Sequence, residues 1–141
     1  MSMEFKVDGF KDLAAMLERL QSVRREEGAL TRAMIKAVEP TADLTRSLVP
    51  VRTGTLRRSI TVSDKLKGRT KEAGITTVYL GTSYGRGKGG RHGHLVEFGT
   101  KHSRPRPFLR PAWDQDSRAM LLRLADELRL QIEKAVKRKG R

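Results

Sequence analysis

Apolar residues recur at helical spacing at both ends of the chain and alternate in its middle. Phe10, Leu13, Met16 or Leu17 and Leu20 fall on one face of a short helix over residues 9–21. A weak alternation over Met3–Val7 predicts a short opening strand, with Asp8-Gly9 as the turn between the two. A longer helical pattern runs from Glu26 to Leu48, with Leu30, Met34, Ala37, Val38, Leu44 and Leu48 as its apolar face. Pro40 lies inside it. A proline there removes one helical hydrogen bond and crowds the preceding turn, so a kink or short break is expected near Ala37–Glu39. Pro50 ends the helix, because the residue before a proline is driven out of helical space.

The pattern then changes. Thr53-Gly54-Thr55 reads as a turn, and Leu56–Val62 as either one turn of helix followed by a strand or a strand throughout. Lys65–Lys71 is a basic, glycine-containing loop. Ile75–Ser83, rich in β-branched residues, is the clearest strand prediction. Gly85–Gly93 reads as a mobile Gly- and Arg-rich loop, Leu95–Phe98 as a short apolar element, and Thr100–Pro107 as an irregular basic connection. Residues 111–138 form one long helix by their spacing, with Trp113, Met120 or Leu121, Leu124, Leu128, Ile132 and Ala135 or Val136 on the apolar face. Pro111 suits its first turn, Asp114 and Asp116 suit the positive end of its dipole, and the basic end at 134–141 suits the other. The prediction is an α+β fold: a small antiparallel sheet packed with a long kinked N-terminal helix and a long C-terminal helix, in one domain over residues 1–141.

Composition narrows the function classes. The 141 residues contain no cysteine, which excludes a disulfide scaffold, a Cys-based zinc finger and a thiol nucleophile. No apolar run approaches the ~18–20 residues that span a bilayer, and Met1–Lys6 lacks a signal-peptide core, so the expectation is a soluble cytoplasmic protein with no membrane partner. The 5% aromatic content weighs against single-strand binding by base stacking.

Charge changes the picture more. The net charge is +14, and residues 45–112 supply most of it: fifteen bases against three acids, Asp64, Glu72 and Glu97. The flanks are nearly balanced. Such concentration points to a polyanion or an acidic protein surface. Arg86, Lys88, Arg91, Lys101, Arg104, Arg106 and Arg110 lie within 25 residues and among glycines. They are candidate phosphate or acidic-partner contacts, set against a merely solvated loop.

Catalytic patterns fail on inspection. Gly85-Arg86-Gly87-Lys88-Gly89-Gly90 has the G-x-G-x-x-G spacing, but Arg110 stands where a dinucleotide site places its acid. A P-loop fails because Gly89 replaces the magnesium-binding hydroxyl. His92, His94 and His102 have no cysteine and few acids to complete a metal site. No nucleophile elbow is present. No enzyme activity, cofactor or metal is expected. Glu97 is the sole acid between Glu72 and Asp114, and either pairs with Arg57, Arg58 or Arg110 or is solvated. Gly99 is expected to adopt a positive φ.

Three ordered stretches go further: Val49-Pro50-Val51-Arg52-Thr53-Gly54-Thr55-Leu56-Arg57-Arg58-Ser59-Ile60, then His94-Leu95-Val96-Glu97-Phe98-Gly99-Thr100, then Pro105-Arg106-Pro107-Phe108-Leu109-Arg110-Pro111-Ala112. In this order, before a long C-terminal helix, they resemble the tail-completion or neck family of bacteriophages and prophages with long non-contractile tails. Pro50, Thr53, Gly54, Leu56, Arg58, Ser59, Ile60, Val96, Glu97, Phe98, Gly99, Thr100, Pro107, Phe108, Leu109 and Pro111 carry the resemblance. It departs at Arg52, where an acid is common, and at a longer, more basic Gly85–Gly93.

The resemblance implies a virion structural protein, made in the host cytoplasm. It implies a homo-oligomeric ring, a hexamer, joining head-completion or connector proteins to a tail terminator or tail tube. Double-stranded DNA would pass through its lumen, with Arg86, Lys88, Arg91, Lys101, Arg104 and Arg106 facing either that DNA or acidic neighbours. Charge alone supports an alternative, a free-standing basic nucleic-acid-binding protein. A metal-dependent nuclease using Glu97 or His94 is the weakest reading.

Overall fold

A computed structural model of the chain describes residues 27–66, 68–70, 75–83 and 89–139, together with Ala14, Ala15 and Glu18. The strand expected over Met3–Val7 lies outside the described residues. Of the helix expected over 9–21, Ala14, Ala15 and Glu18 are described and helical.

Helix α1 spans Glu27–Leu48, α2 Thr55–Ser59, β1 Ile60–Ser63, β2 Tyr79–Thr82, α3 Gly93–Phe98 and α4 Leu109–Lys139, with a single 3-10 turn over Gly90–His92. The fold is α+β: two long helices and a small antiparallel two-stranded sheet.

The two long helices pack on each other, and the residues that let them do so are small. Ala29, Ala33, Ala37, Thr41, Thr45 and Val49 recur every four residues and are buried. A ridge of that spacing seats in the grooves of a partner helix, and alanine lets the two backbones come close. The helices run antiparallel, because Thr41 meets Asp116, Ala37 meets Arg123 and Lys36 meets Glu127. This corrects the apolar face read from the sequence. Leu30, Met34, Val38 and Leu44 are only half-buried, and Leu48 is exposed. Amphipathic counting favours large side chains, whereas this contact selects small ones.

Of the kink or short break expected near Ala37–Glu39, the break is absent: α1 is continuous through Pro40. Packing supports the backbone there. Arg123 Nε on α4 donates to the Ala37 carbonyl at 3.1 Å, on the turn that the proline weakens. Below it, the Thr45 hydroxyl donates to the Thr41 carbonyl at 2.8 Å. At the end of α1, Arg46 pairs with Asp43 at 2.7 Å and donates to the Ile60 carbonyl at 2.9 Å, tying α1 to β1.

The sheet pairs Ile60 with Thr82, Thr61 with Gly81, Val62 with Leu80 and Ser63 with Tyr79. The long strand expected over Ile75–Ser83 is therefore cut to Tyr79–Thr82. Four rungs exhaust β1, and Ile75, with no strand opposite, is exposed. Of the two readings of Leu56–Val62, helix then strand is the one adopted. Ala42, Val49, Ile60 and Phe108 form the core where α1, the sheet and the start of α4 meet, with Leu56, Val62, Leu80, Val96 and Leu109 against it.

The glycine loop is only partly as expected. Residues 84–88, and with them Arg86 and Lys88, lie outside the described residues. Gly90, rather than lying in a mobile loop, is buried against the end of β2, where a Cβ would sit 2.2 Å from the Ser83 carbonyl oxygen. The glycine is required by close approach of backbone to backbone.

Candidate functional site

The second and third motifs meet at one elbow. Helix α3 ends at Phe98, and the chain turns at Gly99, projects as a short arm and returns to start α4 at Leu109. Gly99 has φ 75, as expected, and a Cβ there would lie 2.8 Å from the Pro105 nitrogen. Both the left-handed conformation and the crowding exclude a side chain.

Glu97 governs the return. It is 3% exposed, so the solvated reading is wrong. Its Oε2 accepts the N–H of Phe108 at 2.7 Å and of Leu109 at 3.0 Å, and its Oε1 that of Arg110 at 3.1 Å. The first four N–H groups of an α-helix have no helical acceptor. Here Glu97 takes three, and the fourth position is Pro111, which has no N–H. One carboxylate and one proline thus complete the start of α4. The Arg110 guanidinium lies 3.6 Å from Oε1, so of the three arginine partners considered Arg110 is found, although backbone donors dominate the site. Burial pushes the Glu97 carboxyl up, but the three N–H groups and Arg110 outweigh it and hold it below the usual carboxylate value.

This corrects the reading of Asp114 and Asp116 as first-turn acids. The helix starts two residues before Pro111, no acid lies in its first turn, and the negative charge at its positive end comes from α3. Asp116 instead faces α1. It accepts from the Thr41 hydroxyl at 2.6 Å and pairs with Arg123 at 2.6 and 3.2 Å. Arg123, then burial opposing it, then Thr41 set its carboxyl, which is held below its ordinary value. Sequence reading missed this cluster. The signal was available: residues 116 and 123 are seven apart and so share one helical face.

The first motif is a separate structure on the other side of a groove from the elbow. Pro50 is half-buried just past α1, Thr53 Oγ1 lies 2.8 Å from Thr55 Oγ1, and Gly54 has φ 76 with its carbonyl accepting from Arg58 N at 3.0 Å. Ser59 is buried, donating to the Leu56 carbonyl at 2.6 Å, while its own carbonyl accepts from Ser83 N at 2.7 Å. Leu56 and Ile60 face the core and Arg58 is exposed. An open groove over the sheet, lined by Arg58, Val62, Leu80, His94 and Arg110, separates this motif from the elbow.

Several motif side chains point outward. Phe98 is 67% exposed and Trp113, expected in the core, is 52% exposed. Arg110 lies between them in sequence, its guanidinium 5.1 Å from the centre of the Phe98 ring, and Leu95, one helical turn before Phe98, is also exposed. Val96, Phe108 and Leu109 face the core, while Thr100 and Pro107 are exposed on the arm and Pro111 is half-buried. Arg91, Lys101, Arg104 and Arg106 are all exposed. His92, His94 and His102 are exposed, and among the described residues no three metal-ligating side chains come together.

The two motifs build an elbow on the buried Glu97 and Phe108, with an aromatic and cationic surface outside it. The chain belongs to the bacteriophage family described as "Bacteriophage HK97-gp10, putative tail-component", whose model matches residues 11–99, more than half of its length. It is thus a structural component of the phage tail and a part of the virion. The match includes the first motif and all of the second but Thr100, and stops at Gly99, before the arm and α4. No curated protein and no solved structure matches the chain. Among the described residues no helix is long and apolar enough to cross a membrane.

Proposed function

We propose that the protein is a tail-completion, or neck, subunit: a single 141-residue domain whose copies close into a ring, a hexamer, that joins the head connector to the tail tube. The role is structural and needs no cofactor. The observation that carries the reading is the row formed by Leu95, Phe98, Arg110 and Trp113 on the elbow. Large apolar and aromatic side chains stand in water beside an arginine, the residue types that dominate protein–protein contacts. In a tail component such a row is best accounted for by a neighbouring subunit. A ring also suits a chain that spends its buried motifs on shaping one corner, since subunit contacts bury what a single copy exposes.

Cryo-electron microscopy of particles bearing a tagged copy tests the position. The expected result is one ring of density at the head–tail junction. Density repeated along the tail, or confined to its tip, would overturn the neck assignment while leaving the tail role intact. Native mass spectrometry tests the ring itself, both on the chain alone and with its connector, because a subunit of this kind can await its partner surface before closing. The charge of the middle segment favours a second reading, a basic nucleic-acid-binding tail component that closes no ring, which predicts a monomer in both measurements.

A further inference from the structure

We propose that the arm between α3 and α4 is a preformed contact for the phosphate backbone of duplex DNA. The arm is a built structure. Thr100 and Ser103 exchange backbone hydrogen bonds at 2.9 and 3.4 Å, closing a two-residue turn with Lys101 and His102 at its tip. The Thr100 hydroxyl accepts from His102 N at 3.3 Å inside that turn. Arg106 N donates to the Val96 carbonyl at 2.8 Å, fastening the returning strand to α3. Arg104 and Arg106 each precede a proline, which confines their backbones to extended conformations. Lys101, Arg104 and Arg106 are thereby displayed on a held backbone, so that contact need not also order the loop.

Within its own stretch of chain the arm carries no exposed counter-charge. Between Gly89 and Trp113 the only acid is Glu97, and Glu97 is buried and occupied with the start of α4. The surface of this stretch therefore presents Arg91, Lys101, Arg104, Arg106 and Arg110 with no exposed carboxylate among them. Arg91 adds its charge at the opposite end of α3, about 9 Å along a six-residue helix.

The arm's composition selects the partner. Residues 100–107 contain cations, a histidine, hydroxyls and prolines, and no aromatic or aliphatic anchor. Protein interfaces are depleted of charge at their centre and need such anchors, whereas phosphate contacts need only cations and hydrogen-bond donors. With no aromatic platform on the arm, duplex is favoured over single strand. The proposal deepens the neck reading by naming what the arm faces, yet it is tested on a property that ring closure does not set.

The test is binding of the full chain to a mixed-sequence DNA duplex, followed by fluorescence anisotropy over a range of salt concentrations. With Arg91, Lys101, Arg104 and Arg106 engaged, these four contribute about −3 to −4 to the slope of log affinity against log salt. Replacing Lys101, Arg104 and Arg106 together by alanine reduces the slope by roughly 2 to 3 and leaves the melting curve unchanged. The charge-keeping Arg104→Lys, Arg106→Lys pair retains the slope. Substituting Lys134 and Lys137, on the far end of α4, does less than the arm variant. An unchanged slope in the arm variant, an equal loss from the Lys134 and Lys137 substitutions, or poly-glutamate competing as well as DNA at equal charge would each overturn the proposal. Failure here with a ring present leaves the neck reading standing; a chain that stays monomeric even with its connector, yet binds DNA through the arm, refutes the ring and keeps the contact.

Discussion

Replacing Glu97 by alanine removes the acceptor of three N–H groups at once and leaves them at a helix start packed against the core. The expected loss is about 3 kcal/mol, since one lost cap costs roughly 1 and hydrogen bonds to a charged group somewhat more. For a chain of this size that lowers the melting temperature by roughly 10 °C. Glu97→Gln keeps one amide oxygen and is expected to lose about half as much. The pH dependence has a definite sign. A carboxyl held below its ordinary value contributes stability that is complete above about pH 4.3, and that fades as pH falls through the lowered value. The gap between wild type and Glu97→Gln in thermal melts therefore narrows below about pH 4; a gap constant down to pH 2 would refute the capping role. Glycines provide a second check at this scale. Gly99→Ala places a methyl group 2.8 Å from the Pro105 nitrogen in left-handed backbone, and about 2 kcal/mol of destabilisation is expected. Gly81→Ala, with nothing within 4 Å, is expected to change the melting temperature little.

Between elements, the contact of α1 with α4 rests on the small-residue ridge and on the Thr41–Asp116–Arg123 cluster. Arg123 holds Asp116 in a two-bond fork and also reaches the Ala37 carbonyl, so one side chain fixes both the register of the helices and the turn next to Pro40. A double-mutant cycle over Asp116→Asn and Arg123→Met is expected to give a coupling of about 1–2 kcal/mol at neutral pH, measured by urea denaturation. The coupling is expected to shrink as pH falls below about 3.9, because the Asp116 carboxyl titrates below its ordinary value. This contact also shows what the sequence could reveal. The long C-terminal helix, the stop at Pro50 and the turns at Gly54 and Gly99 were legible because each is written in local chemistry. The buried face of α1 was not, since a ridge of alanines and threonines scores as weakly apolar and acquires meaning only when α4 lies on it. Likewise the cap of α4 was half legible. Glu97 stood out as an isolated acid among bases, but eleven to thirteen residues separate it from the N–H groups it binds, and no helical spacing joins them. Trp113 was misjudged because it follows the periodicity of the inner face near the helix start, where the elbow rather than α1 decides what is covered.

At the scale of the whole molecule, the elbow divides the surface by chemistry. Its arm is cationic and free of apolar anchors, whereas the row of Leu95, Phe98, Arg110 and Trp113 beside it is aromatic and apolar. The buried Glu97 makes both possible: by starting α4 from α3 it sets Trp113 one helical turn beyond Arg110, and by turning inward it leaves the stretch from Gly89 to Trp113 without an exposed acid. A tail component with these two surfaces can hold a neighbour with one and a polyanion with the other. Assembly and DNA contact are then separable by mutation. Phe98→Asp with Trp113→Asp places charges in the apolar row, and both positions are more than half exposed, so the folded subunit is expected to keep its melting temperature. If the row is the subunit contact, each aromatic is worth about 2 kcal/mol or more there, roughly 30-fold in association per site, and the ring is expected to disappear from native mass spectra at micromolar concentration. Leu122→Asp, on an exposed position of α4 away from the elbow, serves as the control and is expected to leave the ring intact. The same aspartate pair leaves Lys101, Arg104 and Arg106 untouched, so the share of the salt slope that the arm supplies persists in the dissociated subunit. Rings that survive the double substitution would move the subunit contact elsewhere, to the exposed outer face of α4 at Leu122 and Leu130.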